Sequence, residues 1–253
     1  MAEHRDRAVV LRARPYREYD VLITLFGERL GKVSAIGRGA RRATSQMAAA
    51  TQLLALADVR LVEGRSSLWT LAGAELAALY PRLRDDFERT ARGAMLADAL
   101  DELTSEHDPA PQMFGCLTGG LGALDRGEAP RVVFVAGLWQ MLREAGLAPP
   151  VDVCHTCGAP LPEDPAWREG HGPVCARCRR PADQALAPGA ITLLRHWSRL
   201  SPERLGQGSG AARQMVQLEH LVTQHLLYHT GRVPRAFRFW KQVAGFVEEG
   251  RTP

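Results

Sequence analysis

The sequence predicts an α+β, multi-domain protein: an N-terminal five-stranded OB-fold β-barrel followed by an α-helical domain carrying a four-cysteine zinc motif. Three observations on the 253 residues lead there. The first part of the chain breaks into short β-branched or alternating runs. After Tyr80-Pro81 the apolar spacing becomes helical, and two C-x-x-C pairs then interrupt the helices.

The runs at 8–14, 21–26, 32–36, 53–62 and 68–74 are separated by Gly, Pro or charged turns. Five short strands suit a small closed barrel, for which the OB-fold is the commonest arrangement and an SH3-like barrel the competitor. Over 85–105, Phe87, Ala91, Met95, Ala99 and Leu103 recur at helical spacing. Apolar-faced helices follow at 112–125 and 131–145, with Pro130 suited to a first turn. Pro149-Pro150 breaks the pattern, a cysteine-bearing loop region fills 151–188, and helices resume at 190–200, 211–230 and 235–248. The expected layout is a barrel over 1–80 and a helical domain over 81–253, with an insert at about 151–188.

An apolar fraction of 45% with 24% charged residues argues against wholesale disorder. The start, MAEHRDRAVV, has no apolar leader, and no apolar run approaches membrane-spanning length. A cytoplasmic protein with no membrane partner is expected. The net charge of +4 is uneven: 12 basic against 8 acidic residues in 1–80, 7 against 11 in 81–150, and 13 against 9 in 151–253. Basic ends suit a polyanionic partner. Arginine supplies 30 of the 32 basic residues, a bias that a GC-rich genome alone can produce and that carries no function here.

Cys154, Cys157, Cys175 and Cys178 form two C-x-x-C pairs separated by 17 residues. Each pair makes a tight turn that aims two thiolates at one point, and two such turns complete a tetrahedral Zn²⁺ site. Four thiolates leave no open position, so one structural zinc is expected. A set of three cysteines with His155 or His171 would orphan a thiol. The fifth cysteine, Cys116, lies in the helical run FGCLTGGLGAL and reads as a small buried hydrophobe.

Catalytic motifs fail on spacing. Gly27 to Lys32 resembles a phosphate loop, but only three residues separate its glycines and Val33 stands where Ser or Thr is needed. Neither H-E-x-x-H nor G-x-S-x-G occurs, and His220 and His225 are five apart, poor spacing for one helical face. No nucleophile, base and oxyanion site assembles, so no enzyme is expected.

The run RLGKVSAIGRGARRATSQ, 29–46, carries Arg29, Lys32, Arg38, Arg41 and Arg42 with three glycines and no acid. A flexible, unopposed cationic loop on a barrel suits single strands, because cations neutralise phosphates and glycines admit the backbone closely. Lys32, Arg38, Arg41 and Arg42 are expected to form one face, extended by Arg12, Arg14 and Arg17. Tyr16 and Tyr19 are possible stacking platforms, though taken alone they read better as structural tyrosines. A second face is sought in Arg177, Arg179 and Arg180 and in Arg195 and Arg199, one helical turn apart; ordinary solvated charge is the competing reading.

VLRARPYREYDVLITLFGERLGKVSAIGRGARR, 10–42, resembles the N-terminal signature of the bacterial recombination mediator family RecO. Its marks are R-P-Y-x-E-x-D at 14–20 and G-K…G-x-R-R at 31–42. The helix running into Pro149, C-x-x-C-G at 154–158, the second cysteine pair and GRVPRAFRFW at 231–240 continue the likeness. The resemblance implies a non-enzymatic, nucleoid-associated protein that binds single- and double-stranded DNA and anneals complementary strands. It also implies that the protein helps RecR load RecA onto strands coated by SSB, whose C-terminal tail the helical domain engages. The alternative from another class is a zinc-ribbon RNA-binding or translation-associated protein.

Overall fold

The computed structural model describes residues 2–64 and 67–248; the end of the expected helical domain, 249–253, lies outside the described residues. The barrel strands are β1 (Glu3–Tyr16), β2 (Asp20–Gly27), β3 (Gly31–Gly37), β4 (Leu56–Val62) and β5 (Leu68–Ala78). They close in the order β1-β2-β3-β5-β4, through a parallel β3–β5 seam and an antiparallel β1–β4 seam. This is the expected OB-fold barrel.

β1 outruns its expected span because its halves have different partners, β4 for Glu3 to Val9 and β2 for Ala8 to Tyr16. The ladder slips between Val10 and Arg12, a bulge that bends β1 from one side of the barrel to the other. Ala8 and Val10 point into the barrel with Ile23, Leu25 and Val33. Val9 and Leu11 point outward and join the helical core beside Phe26. Burial on both faces is why this stretch reads as continuously apolar. β4 starts later than expected, since Leu54 adopts a left-handed turn whose N–H donates to Val10 O at 2.9 Å.

The helices are α1 (Pro81–Arg84), α2 (Phe87–Leu103), α3 (Pro111–Arg126), α4 (Pro130–Glu144), α5 (Ala190–Trp197), α6 (Ala212–Thr230) and α7 (Arg235–Glu248). The Asp86 side chain accepts the Arg89 N–H at 2.9 Å, capping α2 and dividing it from α1. α4 is buried at every position from Val132 to Leu142, and its neighbours wrap around it. Leu96 of α2 fills the space left by Gly120 of α3 and Gly137 of α4; a Cβ on Gly120 would lie 2.9 Å from it. α5 stops at Trp197, short of the expected end. The insert, expected as loop, holds a small sheet of β6 (Ala166–Arg168), β7 (Gly172–Val174) and β8 (Gln184–Ala185). Strands this short show no alternation in sequence.

The two parts dock through charge as well as apolar surface. Lys32 Nζ donates to Asp101 O at 2.6 Å, Thr104 O at 2.7 Å and Asp101 Oδ1 at 3.0 Å. Arg12 Nη2 meets Asp101 Oδ2 at 2.5 Å. Gly31, at φ +66°, lets the β2–β3 turn press on Asp108, where a Cβ would come within 2.2 Å of the backbone oxygen.

Candidate functional site

One end of the barrel is built by two turns that hold each other. Asp20 Oδ1 accepts the Gly39 N–H at 2.9 Å. Arg41 donates its backbone N–H to Tyr19 O at 2.9 Å and Nη1 to Glu18 O at 3.2 Å. Buried Ala40 anchors the 38–42 turn from beneath. The turn is thus pinned to the β1–β2 hairpin rather than hanging free as the glycine content suggested. Arg14, Arg17, Arg38, Arg41 and Arg42 emerge exposed at this tip. Among the described residues none of the five is in ion-pair reach of a carboxylate. Tyr16 and Tyr19 are 40% and 44% exposed, with the Arg17 and Arg42 guanidinium groups each 5.4 Å from the neighbouring ring centre. Interleaved cations and rings are an arrangement able to take phosphates and bases together.

The 29–46 run is not one surface. β3, 7 residues long, puts about 20 Å between its ends. At the far end Asp6 Oδ2 accepts the Arg29 N–H at 3.0 Å, and Lys32 is drawn under Asp101 with its side chain 12% exposed. Arg12 is likewise turned to Asp101, with Asp98 at 3.8 Å. The expected single face of Lys32 with Arg38, Arg41 and Arg42 is therefore corrected: Lys32 and Arg12 tie the domains together. The acids responsible lie in α2, invisible to a reading of the local run.

Cys154, Cys157, Cys175 and Cys178 converge so that their sulfurs all lie within 4.8 Å of one another. The Cys157 and Cys175 sulfurs are 3.8 Å apart. A tetrahedral Zn²⁺ with bonds of about 2.3 Å requires sulfur–sulfur edges of about 3.8 Å, so the four fit that ion. Burial opposes ionisation of Cys154, but the backbone N–H groups of Cys175, Cys157 and Thr156 outweigh it and bring the thiol to about 6. Cys178 is pushed up to about 12, chiefly by the Cys157 sulfur. Crowded thiolates repel, and a dication is the group that relieves them.

Sequence reasoning missed what holds this centre. Arg168 on β6 grips Asp183 with two bonds, Nε to Oδ1 at 3.0 Å and Nη2 to Oδ2 at 2.8 Å. It also donates to Thr156 Oγ1 at 2.9 Å and Cys178 O at 2.8 Å, so one side chain joins both cysteine turns. The second cationic face does not assemble as expected. Arg195 Nε is taken by Val151 O at 3.0 Å and Asp152 at 3.1 Å, while Arg199 lies beyond the end of α5. Exposed Arg177 is held charged chiefly by the Cys157 sulfur. Arg179 and Arg180 remain exposed beside the cluster.

A barrel with an arginine- and tyrosine-bearing tip, joined to a helical domain with a closed four-cysteine site, has the build of a DNA-handling protein. The family model "Recombination protein O N terminal" matches residues 1–80, and "Recombination protein O C terminal" matches 84–236. Relatives named DNA repair protein RecO include one from Nocardioides sp., 32% identical over 90% of this chain and 95% of its own. Those from Thermobifida fusca and Myxococcus xanthus are 33% and 31% identical, over 94% and 96% of this chain and 98% and 99% of theirs. The chain belongs to the RecO family of DNA repair and recombination proteins, which are non-enzymatic mediators. That membership sets aside the RNA-binding alternative. Among the described residues no helix is long and apolar enough to cross a membrane.

Proposed function

We propose that this protein holds single- and double-stranded DNA by the phosphate backbone and anneals complementary strands. In this reading it works at the nucleoid with RecR to load RecA onto DNA coated by SSB. The observation that carries it is the barrel tip: five exposed arginines that among the described residues have no carboxylate partner, interleaved with two exposed tyrosines. Phosphate backbones repel; a cationic surface lowers that repulsion and concentrates strands, and base pairing supplies the specificity. Nothing in this mechanism requires readout of base edges. The work divides between the domains, 1–80 meeting DNA and 81–253 meeting the SSB tail and other partners. Cys154, Cys157, Cys175 and Cys178 would hold one structural Zn²⁺, which supplies a cross-link between the two turns and no reaction chemistry.

The test is pairing of two complementary labelled oligonucleotides, bare and coated with the cognate SSB, without ATP. Rapid pairing of the coated strands is the expected result. Binding without any acceleration of pairing would contradict the annealing role.

A further inference from the structure

The barrel tip is not the molecule's one exposed basic surface. Arg235, Arg238 and Lys241 stand exposed on α7, while Phe237 and Trp240 of the same helix are buried against the bundle. Spacing of three lines the cations along the outer side over about 9 Å. Among the described residues none of the three has a carboxylate partner, and no acid occurs in 235–247. A solvated helix face ordinarily mixes both signs. Phe239 lies between these cations and is 48% exposed. Cations around an exposed ring are also the composition of the barrel tip.

The two surfaces are joined. Asp98 Oδ2 accepts the Ala236 N–H at 2.8 Å, and Asp98 Oδ1 lies 3.8 Å from Arg12 Nη2. This ties the first turn of α7 to β1. Between them lies a cleft of about 440 Å³, lined by Arg14 and Thr24 from the barrel and by Asp98 and Arg235 from the helices. The Arg92 guanidinium, fully buried and 4.1 Å from the Trp240 ring centre, fixes the rest of α7 on the bundle. The basic stripe is therefore held in place relative to the tip.

We infer that a single strand seated at the barrel tip continues across this cleft onto α7. Phosphates there meet Arg14, Arg235, Arg238 and Lys241, and a base packs on Phe239. The inference rests on the reading of the tip as a DNA site and extends that site over the domain junction. A polynucleotide is the favoured occupant because the stripe is continuous with the tip and repeats its mix of cations and exposed rings.

The test uses the full chain and a triple variant, R235Q/R238Q/K241Q, whose thermal midpoint is measured first and should match the wild type because all three side chains are exposed. Binding to labelled oligothymidylates of about 8 and about 20 nucleotides, one near and one beyond the reach of a single OB-fold, is measured across salt concentrations. For the long strand the variant should lose about tenfold or more in affinity, and its log–log salt slope should become shallower by about 2. Binding of the short strand should stay as in the wild type. F239A should weaken long-strand binding with the salt slope unchanged. Wild-type binding of the long strand by the triple variant, while R38Q/R41Q/R42Q fails to bind, overturns the track and leaves the tip standing. Wild-type binding by both variants sinks the tip reading too. Loss of an acidic peptide's binding with DNA binding intact would overturn the track in favour of a protein partner.

Discussion

The arginines of the barrel tip and two arginines of the cysteine-bearing region, Arg168 and Arg195, do opposite work. At the tip, Arg41 and Arg42 are pinned through their backbone N–H groups, Arg41 adding one guanidinium bond to the Glu18 carbonyl. With Arg38 they stand exposed, among the described residues without a carboxylate partner. Around the cysteines, Arg168 commits its guanidinium to Asp183, Thr156 and Cys178, and Arg195 commits its own to Val151 and Asp152. Charge committed inside the protein builds structure; charge left uncommitted is available to a polyanion. Lys32 extends the lesson, since it shares a sequence run with Arg38 and belongs with the structural group.

Breaking the structural side should cost most. Replacing Cys154 and Cys157 by Ser should abolish metal binding and unfold the insert, seen as lost zinc content and a new low-temperature transition. DNA affinity per folded molecule should change little. A zinc-free variant with full thermal stability would contradict the structural role. Next, R168A should weaken zinc retention about tenfold or more in a chelator competition, because it frees both cysteine turns. Wild-type retention would mean that the Asp183 clamp does not hold the centre.

K32M tests whether a charge from the same basic run as the tip arginines belongs to the fold. It should lower unfolding stability by about 2–3 kcal/mol in urea, through the lost bonds to Asp101 and Thr104, with the DNA salt slope unchanged. A shallower slope would return Lys32 to the DNA surface. Y19A sharpens the other side: about 1 kcal/mol of single-strand affinity should go without loss of stability.

The smallest effect concerns pH. His225 on α6 is buried, its Nε2 bonds Leu147 O at 2.8 Å, and its Nδ1 has no hydrogen-bond partner among the described residues. Burial holds its protonation below the usual imidazole range, against the Leu147 carbonyl, with His229 and His171 acting in the same direction as burial. The ring stays neutral when folded at pH values where it would charge when unfolded. Its contribution is therefore full above the ordinary value of about 6.5 and declines as pH falls below it. Thermal midpoints between about pH 7.5 and 5.5 should drop toward acid, and H225Q should flatten that limb. Equal limbs in the two proteins would exclude His225 as the cause.

Much of this was legible in the sequence, for local reasons. Alternation marked the barrel strands, and two C-x-x-C pairs at a ribbon's spacing marked a site that the fold brings together. What stayed hidden depended on distant partners. Nothing near Lys32 announces Asp101, and nothing near Arg168 announces Asp183. The strands of the insert are two or three residues long and show no period. The cations at 235, 238 and 241 were passed over in the sequence, because only the fold sets them beside the cleft next to β1.

The most direct test of the central claim is the salt dependence of single-strand binding by R38Q/R41Q/R42Q, compared with the wild type at equal thermal stability. The account predicts weaker binding to every sequence and a log–log slope shallower by about 2. An unchanged affinity and slope in the folded variant would contradict it.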